Sequence, residues 1–135
     1  MIDLYDLIYV DDEPTMTTIF TQVINMKYQQ WRTTAFNDSQ EVYTRIQARS
    51  ISARVWIVDL MMPEKNGIQI AQAVRDAGDF SAVLIGYTAL DPQSLGRKEE
   101  YSAALDLFSR IIGKQEGFIK VLAGLQATVL RQVKA

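Results

Sequence analysis

The chain has 135 residues, 48% apolar and 22% charged, the balance of a soluble globular domain that buries roughly two-thirds of its unfolded surface. Its 14 basic and 16 acidic residues are scattered, and no basic block of the kind that footprints on nucleic acid is present. Cysteine and histidine are both absent, which excludes disulfides, thiol nucleophiles and Cys- or His-ligated metals, and removes the commonest general base.

The N-terminus, Met1-Ile2-Asp3-Leu4-Tyr5-Asp6, has acids where a signal peptide would carry positive charge. No apolar stretch approaches the ~18 residues of a membrane-spanning helix. The chain therefore reads as one soluble, cytoplasmic domain over residues 1–135, with no output domain after its last helix. Leu7 to Val10 form an apolar run bounded by Asp on both sides, as expected of a parallel strand covered on both faces. Pro14 is a first-turn residue for a helix, and Met16, Ile19, Phe20, Val23 and Ile24 make its stripe, to about Lys27. Trp31 to Phe36 favours a second strand, and Asp38 or Ser39 can cap a second helix that buries Val42, Tyr43 and Ile46.

Val55 to Val58 predict a third strand ending on Asp59. Pro63 and Gly67 punctuate the loop after it, and Ile68, Ile70, Ala71 and Val74 mark a third helix that stops at Gly78. Ala82 to Tyr87 form a fourth strand that ends on Thr88. Asp91-Pro92 opens a fourth helix whose stripe is weak, so a loosely held element is expected there. The fifth strand is expected within Leu105 to Ile112. The last helix is expected over Gln115 to Val133, with Phe118, Val121, Leu122, Leu125 and Val129 on one face. Strand and helix alternate five times, which implies right-handed crossovers and a doubly wound α/β fold, a parallel sheet with helices on both sides.

Such sheets place their sites at the C-terminal ends of the strands. Asp11 and Asp12 end the first strand, Asp59 the third, and Thr88 the fourth. Three carboxylates held together repel one another and take up protons. A hard divalent cation resolves this, and carboxylates, carbonyls and water are the ligands Mg²⁺ prefers. With a hydroxyl nearby and no histidine, the set suits phosphoryl chemistry in which one carboxylate is the nucleophile. Glu13 reads either as an acid that supports the site from behind or, better, as an acid in the first turn of its helix, where its charge suits the dipole.

Val10-Asp11-Asp12-Glu13-Pro14, then Asp59-Leu60-Met61-Met62-Pro63-Glu64-Lys65-Asn66-Gly67, then Tyr87-Thr88-Ala89, resemble the receiver domain of two-component response regulators. The resemblance covers nearly the whole chain in order. It implies a flavodoxin-like (βα)5 fold with strand order 2-1-3-4-5 and Asp59 as acceptor of phosphate from a sensor histidine kinase or a histidine phosphotransfer protein. Asp11, Asp12, Asp59 and the backbone carbonyl of Met61 would hold Mg²⁺, and Thr88 with Ala89 would form the switch. The resemblance further implies a signalling module rather than an enzyme, with slow self-dephosphorylation only. Its output would be a protein target, or a weak homodimer through the face of the fourth helix, fifth strand and last helix, with no direct nucleic-acid or membrane contact.

The fifth strand departs from the family. Receivers there resemble Gly-Ala-x-Asp-Tyr-Leu-x-Lys-Pro-Phe, the Lys contacting the phosphoryl group. Aligned on Ala103-Ala104-Leu105-Asp106, this chain places Arg110 at the Lys, Ile111 at the Pro and Leu107 at the switch aromatic. Arg110 is then the candidate phosphoryl contact, although a planar guanidinium is a poor substitute for a compact ammonium. A neighbouring register brings Phe108 near the aromatic position and leaves no Lys in place, since Lys114 lies four residues beyond Arg110. Tyr87, Tyr101 or Phe108 would then relay the switch. The departure supports an alternative reading, a pseudo-receiver-like binding module that acts independently of phosphorylation.

Overall fold

The computed structural model describes residues 2–95, 102 and 104–131. In chain order the elements are β1 (Asp3–Val10), α1 (Pro14–Lys27), β2 (Thr33–Phe36), α2 (Ser39–Gln47), β3 (Ile51–Asp59), α3 (Gly67–Asp76), β4 (Val83–Thr88), α4 (Pro92–Leu95), β5 (Arg110–Gly113) and α5 (Gly117–Ala127). Short 3-10 turns cover Ala104–Leu107 and Lys114–Glu116, on either side of β5. All strand pairs are parallel and the sheet order is β2-β1-β3-β4-β5, as the flavodoxin-like reading expects.

Alternation along the strands divides the core into two layers. Ile8, Val10, Trp56, Val58 and Leu84 face α2 and α3, where Val42, Ile46, Ile70, Ala71 and Val74 close over them. Leu7, Tyr9, Val55, Ile57, Ile85 and Tyr87 face α1 and α5, against Phe20, Ile24, Phe118, Val121, Leu122 and Leu125. Burying each of the larger aliphatic side chains contributes ~1.5–3 kcal/mol, so the unbroken apolar runs of β1 and β3 fix those strands at the centre. Among the described residues no helix is long and apolar enough to cross a membrane.

Helix starts follow local chemistry. Pro14 opens α1. The Asp38 carboxylate accepts from the backbone N–H groups of Gln40 and Glu41 at 3.0 and 3.3 Å, so Asp38 rather than Ser39 caps α2. Asn66 and Gln69 form a reciprocal capping box at the start of α3.

Several boundaries differ from the sequence reading. β1 begins four residues early, at Asp3, because its first half pairs with β3 from Asp3↔Ile51 onward. Trp31 precedes β2 and stacks on Tyr28 at 4.2 Å between ring centroids. β5 occupies Arg110–Gly113, the end of the expected stretch and one residue beyond it, because Leu105 and Leu107 lie in the 3-10 turn and pack against the α2–α3 layer. Helix α5 starts at Gly117 and ends at Ala127, so Val129 lies in the turn that follows. The expected end of that helix at Val133, and Tyr101, lie outside the described residues.

Candidate functional site

β1 and β3 are neighbours, with Val10 in register with Val58, so Asp11 and Asp59 emerge side by side at the C-terminal edge of the sheet. Carboxylate oxygens of Asp11, Asp12 and Asp59 lie within 4.8 Å of one another. Asp11 is fully buried and Asp59 nearly so, while Asp12 is half-buried. The donor set is all hard oxygen, in a chain without histidine or cysteine, which fits Mg²⁺ rather than a softer transition metal.

A lysine meets these acids. Lys114 Nζ lies 2.8 Å from Asp11 Oδ2 and 3.4 Å from Asp59 Oδ2. Asp11 Oδ2 also accepts a hydrogen bond from the Tyr9 hydroxyl, and Asp11 Oδ1 accepts from the backbone N–H of Glu13 at 3.0 Å. Asp59 Oδ1 accepts from the backbone N–H of Met61 at 3.1 Å.

Burial pushes the Asp59 carboxyl up to about 6; the Met61 N–H opposes that shift, the Asp11 charge adds to it, and Lys114 opposes it. Burial disfavours the charge on Lys114, but its bonds and attraction to Asp11 and Asp59 outweigh that and hold its pKa above the ordinary lysine value. The Tyr9 hydroxyl is driven well above its usual range, first by burial and then by the hydrogen bond to Asp11.

Thr88 is fully buried at the end of β4, opposite Gly113 of β5, and its Oγ1 accepts from the backbone N–H of Leu90 at 3.1 Å. Ala89, beside it, is exposed. The loop after Asp59 is pinned from two sides. Ser39 Oγ donates to the Pro63 carbonyl at 2.9 Å and accepts from the Lys65 N–H at 3.2 Å. At Gly67 an added Cβ would sit 2.5 Å from the Asp59 carbonyl oxygen and 2.8 Å from Leu60 Cα, so this glycine serves close backbone approach as well as turn chemistry. Only a residue without a side chain lets the start of α3 abut the end of β3.

The fifth strand runs in a later register than the family resemblance implies. Arg110 opens β5, paired with Ile85, and is exposed, three residues short of the strand end where the acids lie. It is therefore not the cation at the site; Lys114, immediately after β5, is. The sequence alignment on Ala103-Ala104 set the register too early. A signal was nonetheless available: in β1, β3 and β4 the polar residue follows the apolar run, and after Ile111-Ile112-Gly113 that residue is Lys114.

Counting back from Lys114, the family's aromatic position falls on Ile111 and its proline on Gln115. Leu107, assigned to the aromatic position by the earlier register, sits in the 3-10 turn instead. Phe108 is buried in the α2–α3 layer. Tyr87 is buried on the opposite side, where it packs against Phe118 and its hydroxyl donates to the Lys114 carbonyl at 3.4 Å.

A family model for the response regulator receiver domain matches residues 7–106. The curated transcriptional regulatory protein TrcR of Mycobacterium tuberculosis is 26% identical over 78 residues; the match takes in 58% of this chain and 29% of TrcR, so the chain spans less than a third of that relative. Among solved structures, the receiver domain of the Francisella response regulator 1452 superposes with a TM-score of 0.71 at 18% identity, covering 94% of this chain and 98% of that one. The response regulator TrrA of Thermotoga maritima, in complex with Mg(2+)-BeF, gives a TM-score of 0.67 at 16% identity, covering 93% and 98% of the two chains. At these identities the superpositions speak for the fold, and the family match stops before Lys114.

Proposed function

The chain belongs to the response regulator receiver domain family, and on that premise we propose that it accepts a phosphoryl group onto Asp59 and switches a protein-interaction surface in response. Receiver domains are signalling modules rather than enzymes; they bind Mg²⁺ at an acidic pocket and exchange phosphate with histidine kinases or histidine phosphotransfer proteins. The observation that carries the reading for this chain is the seat of Lys114 between Asp11 and Asp59. It completes three acids and a hydroxyl with an ammonium at one sheet edge.

In this reading residues 1–135 act as one cytoplasmic receiver unit. Asp11, Asp12, Asp59 and the Met61 carbonyl would hold Mg²⁺, which when bound offsets the carboxylate charge and that of the phosphoryl oxygens. An Asp59 carboxylate oxygen attacks phosphorus, the P–N bond of the donor phosphohistidine breaks, and the imidazole leaves with its electron pair and takes up a proton. The product is an acyl phosphate, lost slowly to water. Lys114 pairs with a phosphoryl oxygen and holds the developing charge. Thr88, released from its bond to Leu90, turns its hydroxyl toward the same group, with Ala89 moving alongside. The output is a protein target, or a weak homodimer through α4, β5 and α5, without direct contact to nucleic acid or membrane.

Incubation with Mg²⁺ and acetyl phosphate tests this. One phosphoryl mass should be added to the intact chain, and none to Asp59→Asn or in the presence of EDTA. No adduct from acetyl phosphate or from a phosphorylated histidine phosphotransfer protein would sink the proposal.

One observation favours a second reading. With Ile111 at the aromatic position and Gln115 at the proline, the family's usual coupling of β5 to the phosphoryl group is altered. A binding module that acts independently of phosphorylation would hold its partner with equal affinity with and without beryllofluoride, and as Asp59→Asn.

A further inference from the structure

Tyr9 reads in the sequence as one of four apolar residues of a buried strand. In the fold it is fully buried, yet its hydroxyl reaches the acid site and donates to Asp11 Oδ2, the same oxygen that takes Lys114 Nζ. A buried tyrosine hydroxyl needs a partner, and here the partner is a proposed metal ligand. The Tyr9 ring touches three others: Phe20 of α1 at 5.0 Å between centroids, Phe118 of α5 at 5.1 Å and Tyr87 of β4 at 6.2 Å. Tyr87 also lies 5.4 Å from Phe118, and its hydroxyl donates to the carbonyl of Lys114. Two tyrosine hydroxyls thus touch the acid–lysine cluster, and both rings rest on Phe118, in the first turn of α5. Ile111, at the family's aromatic position, packs instead toward the α2–α3 layer.

We propose that Tyr9 is a positioning residue for Asp11 and the first link of an aromatic relay, Tyr9–Phe118, that transmits occupancy of the acid site to α5. The proposal rests on the receiver reading and extends it to this chain's own route of output. Asp11 Oδ2 already accepts two donors, so a cation or phosphoryl group entering the site must rearrange the Asp11–Lys114 pair. That rearrangement moves the acceptor on which Tyr9 is anchored. Rings packed edge to face in a close-packed core do not shift singly, so displacement of Tyr9 is passed to Phe118 and the start of α5. A hydroxyl held on a ligating carboxylate also fixes the orientation of that ligand, and removing such a partner costs ~10–100-fold in metal affinity.

The test follows backbone amide resonances of the full chain during titration with Mg²⁺ and then with Mg²⁺–beryllofluoride, in wild type, Tyr9→Phe and Phe118→Leu. Wild type should shift both around Asp59 and along Phe118 to Leu122. Tyr9→Phe should bind Mg²⁺ about tenfold more weakly, and at saturation keep the Asp59 shifts while losing most of those in α5. Phe118→Leu breaks the relay at its far end, so it should keep wild-type Mg²⁺ affinity and lose the α5 response. Unchanged Mg²⁺ affinity in Tyr9→Phe overturns the positioning role, and a full α5 response in either variant at saturation overturns the relay. Silence around Asp59 in wild type overturns the receiver reading itself and the relay with it, whereas Asp59 shifts with a silent wild-type α5 overturn the relay alone.

Discussion

Lys114, itself half-buried, pairs with the fully buried Asp11, Nζ to Oδ2 at 2.8 Å, and the same ammonium reaches Asp59 Oδ2 at 3.4 Å. One cation therefore compensates two carboxylates that arrive from different strands. Removing a partner from a buried pair costs about 3–5 kcal/mol in the general case, less where the orphaned acid can take up a proton.

Lys114→Met should accordingly lower the metal-free stability at pH 7 by about 1–3 kcal/mol. Added Mg²⁺ should restore part of the loss, and phosphoryl transfer should remain slow even when the protein is folded and metal-loaded. Arg110→Ala, an exposed change at the far end of β5, should alter neither property. Urea unfolding with and without Mg²⁺, together with the rate of mass addition from acetyl phosphate, separates the two residues.

The raised pKa of Asp59 sets the sign of the pH dependence. Its carboxyl titrates near 6 in the fold against about 3.9 in an unfolded chain, so between those values the folded state holds more protons. Stability of the metal-free protein should therefore fall as pH rises from about 4 through about 6. At one pKa unit per 1.36 kcal/mol the fall is about 3 kcal/mol at most. Asp59→Asn should flatten that slope and be more stable than wild type at pH 7 in EDTA, with little difference at pH 4. Urea midpoints across pH 4–8 read this directly. The raised pKa of Lys114 acts at the alkaline end, where its contribution is full below the ordinary lysine value and is lost as pH rises through the folded one.

Gly67→Ala should be destabilising although alanine is the better helix former by about 1 kcal/mol. The added methyl would meet the Asp59 carbonyl oxygen at 2.5 Å and Leu60 Cα at 2.8 Å, both backbone atoms that a rotamer change cannot move. A loss of about 1–3 kcal/mol is expected, with slower phosphorylation because the loop after Asp59 is displaced. Thermal unfolding and acetyl phosphate kinetics on one preparation check both effects.

Magnesium should raise the melting temperature by several degrees at millimolar concentration, since a ligand that binds only the fold stabilises it by mass action. Asp11→Asn and Asp12→Asn should each remove most of that rise. A melting temperature indifferent to Mg²⁺ in wild type would count against the metal site.

The alternating strands and the three acids were legible because each depends on a local pattern: an apolar run, then a polar residue, in β1, β3 and β4; the order of the strands came only from the family resemblance. The Asp59-to-Gly67 spacing carried the same information at the start of α3. The fifth strand was not legible in the same way. Ala103-Ala104-Leu105-Asp106 imitates the family's approach to that strand, and Arg110 then falls where a lysine is expected. What decides the register is tertiary, the pairing of Thr88 with Gly113, which brings Lys114 to the acids. Tyr9 was missed for a related reason. Its ring belongs to the core and only its hydroxyl belongs to the site, and periodicity reports the ring.

A phosphoryl group accepted by Asp59 leaves a chemical trace at that residue. Borohydride reduces an aspartyl phosphate to homoserine, and trypsin releases Val55–Lys65, a peptide whose only aspartate is Asp59. After treatment with Mg²⁺ and acetyl phosphate, homoserine should appear at position 59 of that peptide and at no other aspartate. Homoserine at Asp11 or Asp12, or an unmodified Val55–Lys65 peptide from chain that carries the phosphoryl mass, would rule Asp59 out as the acceptor.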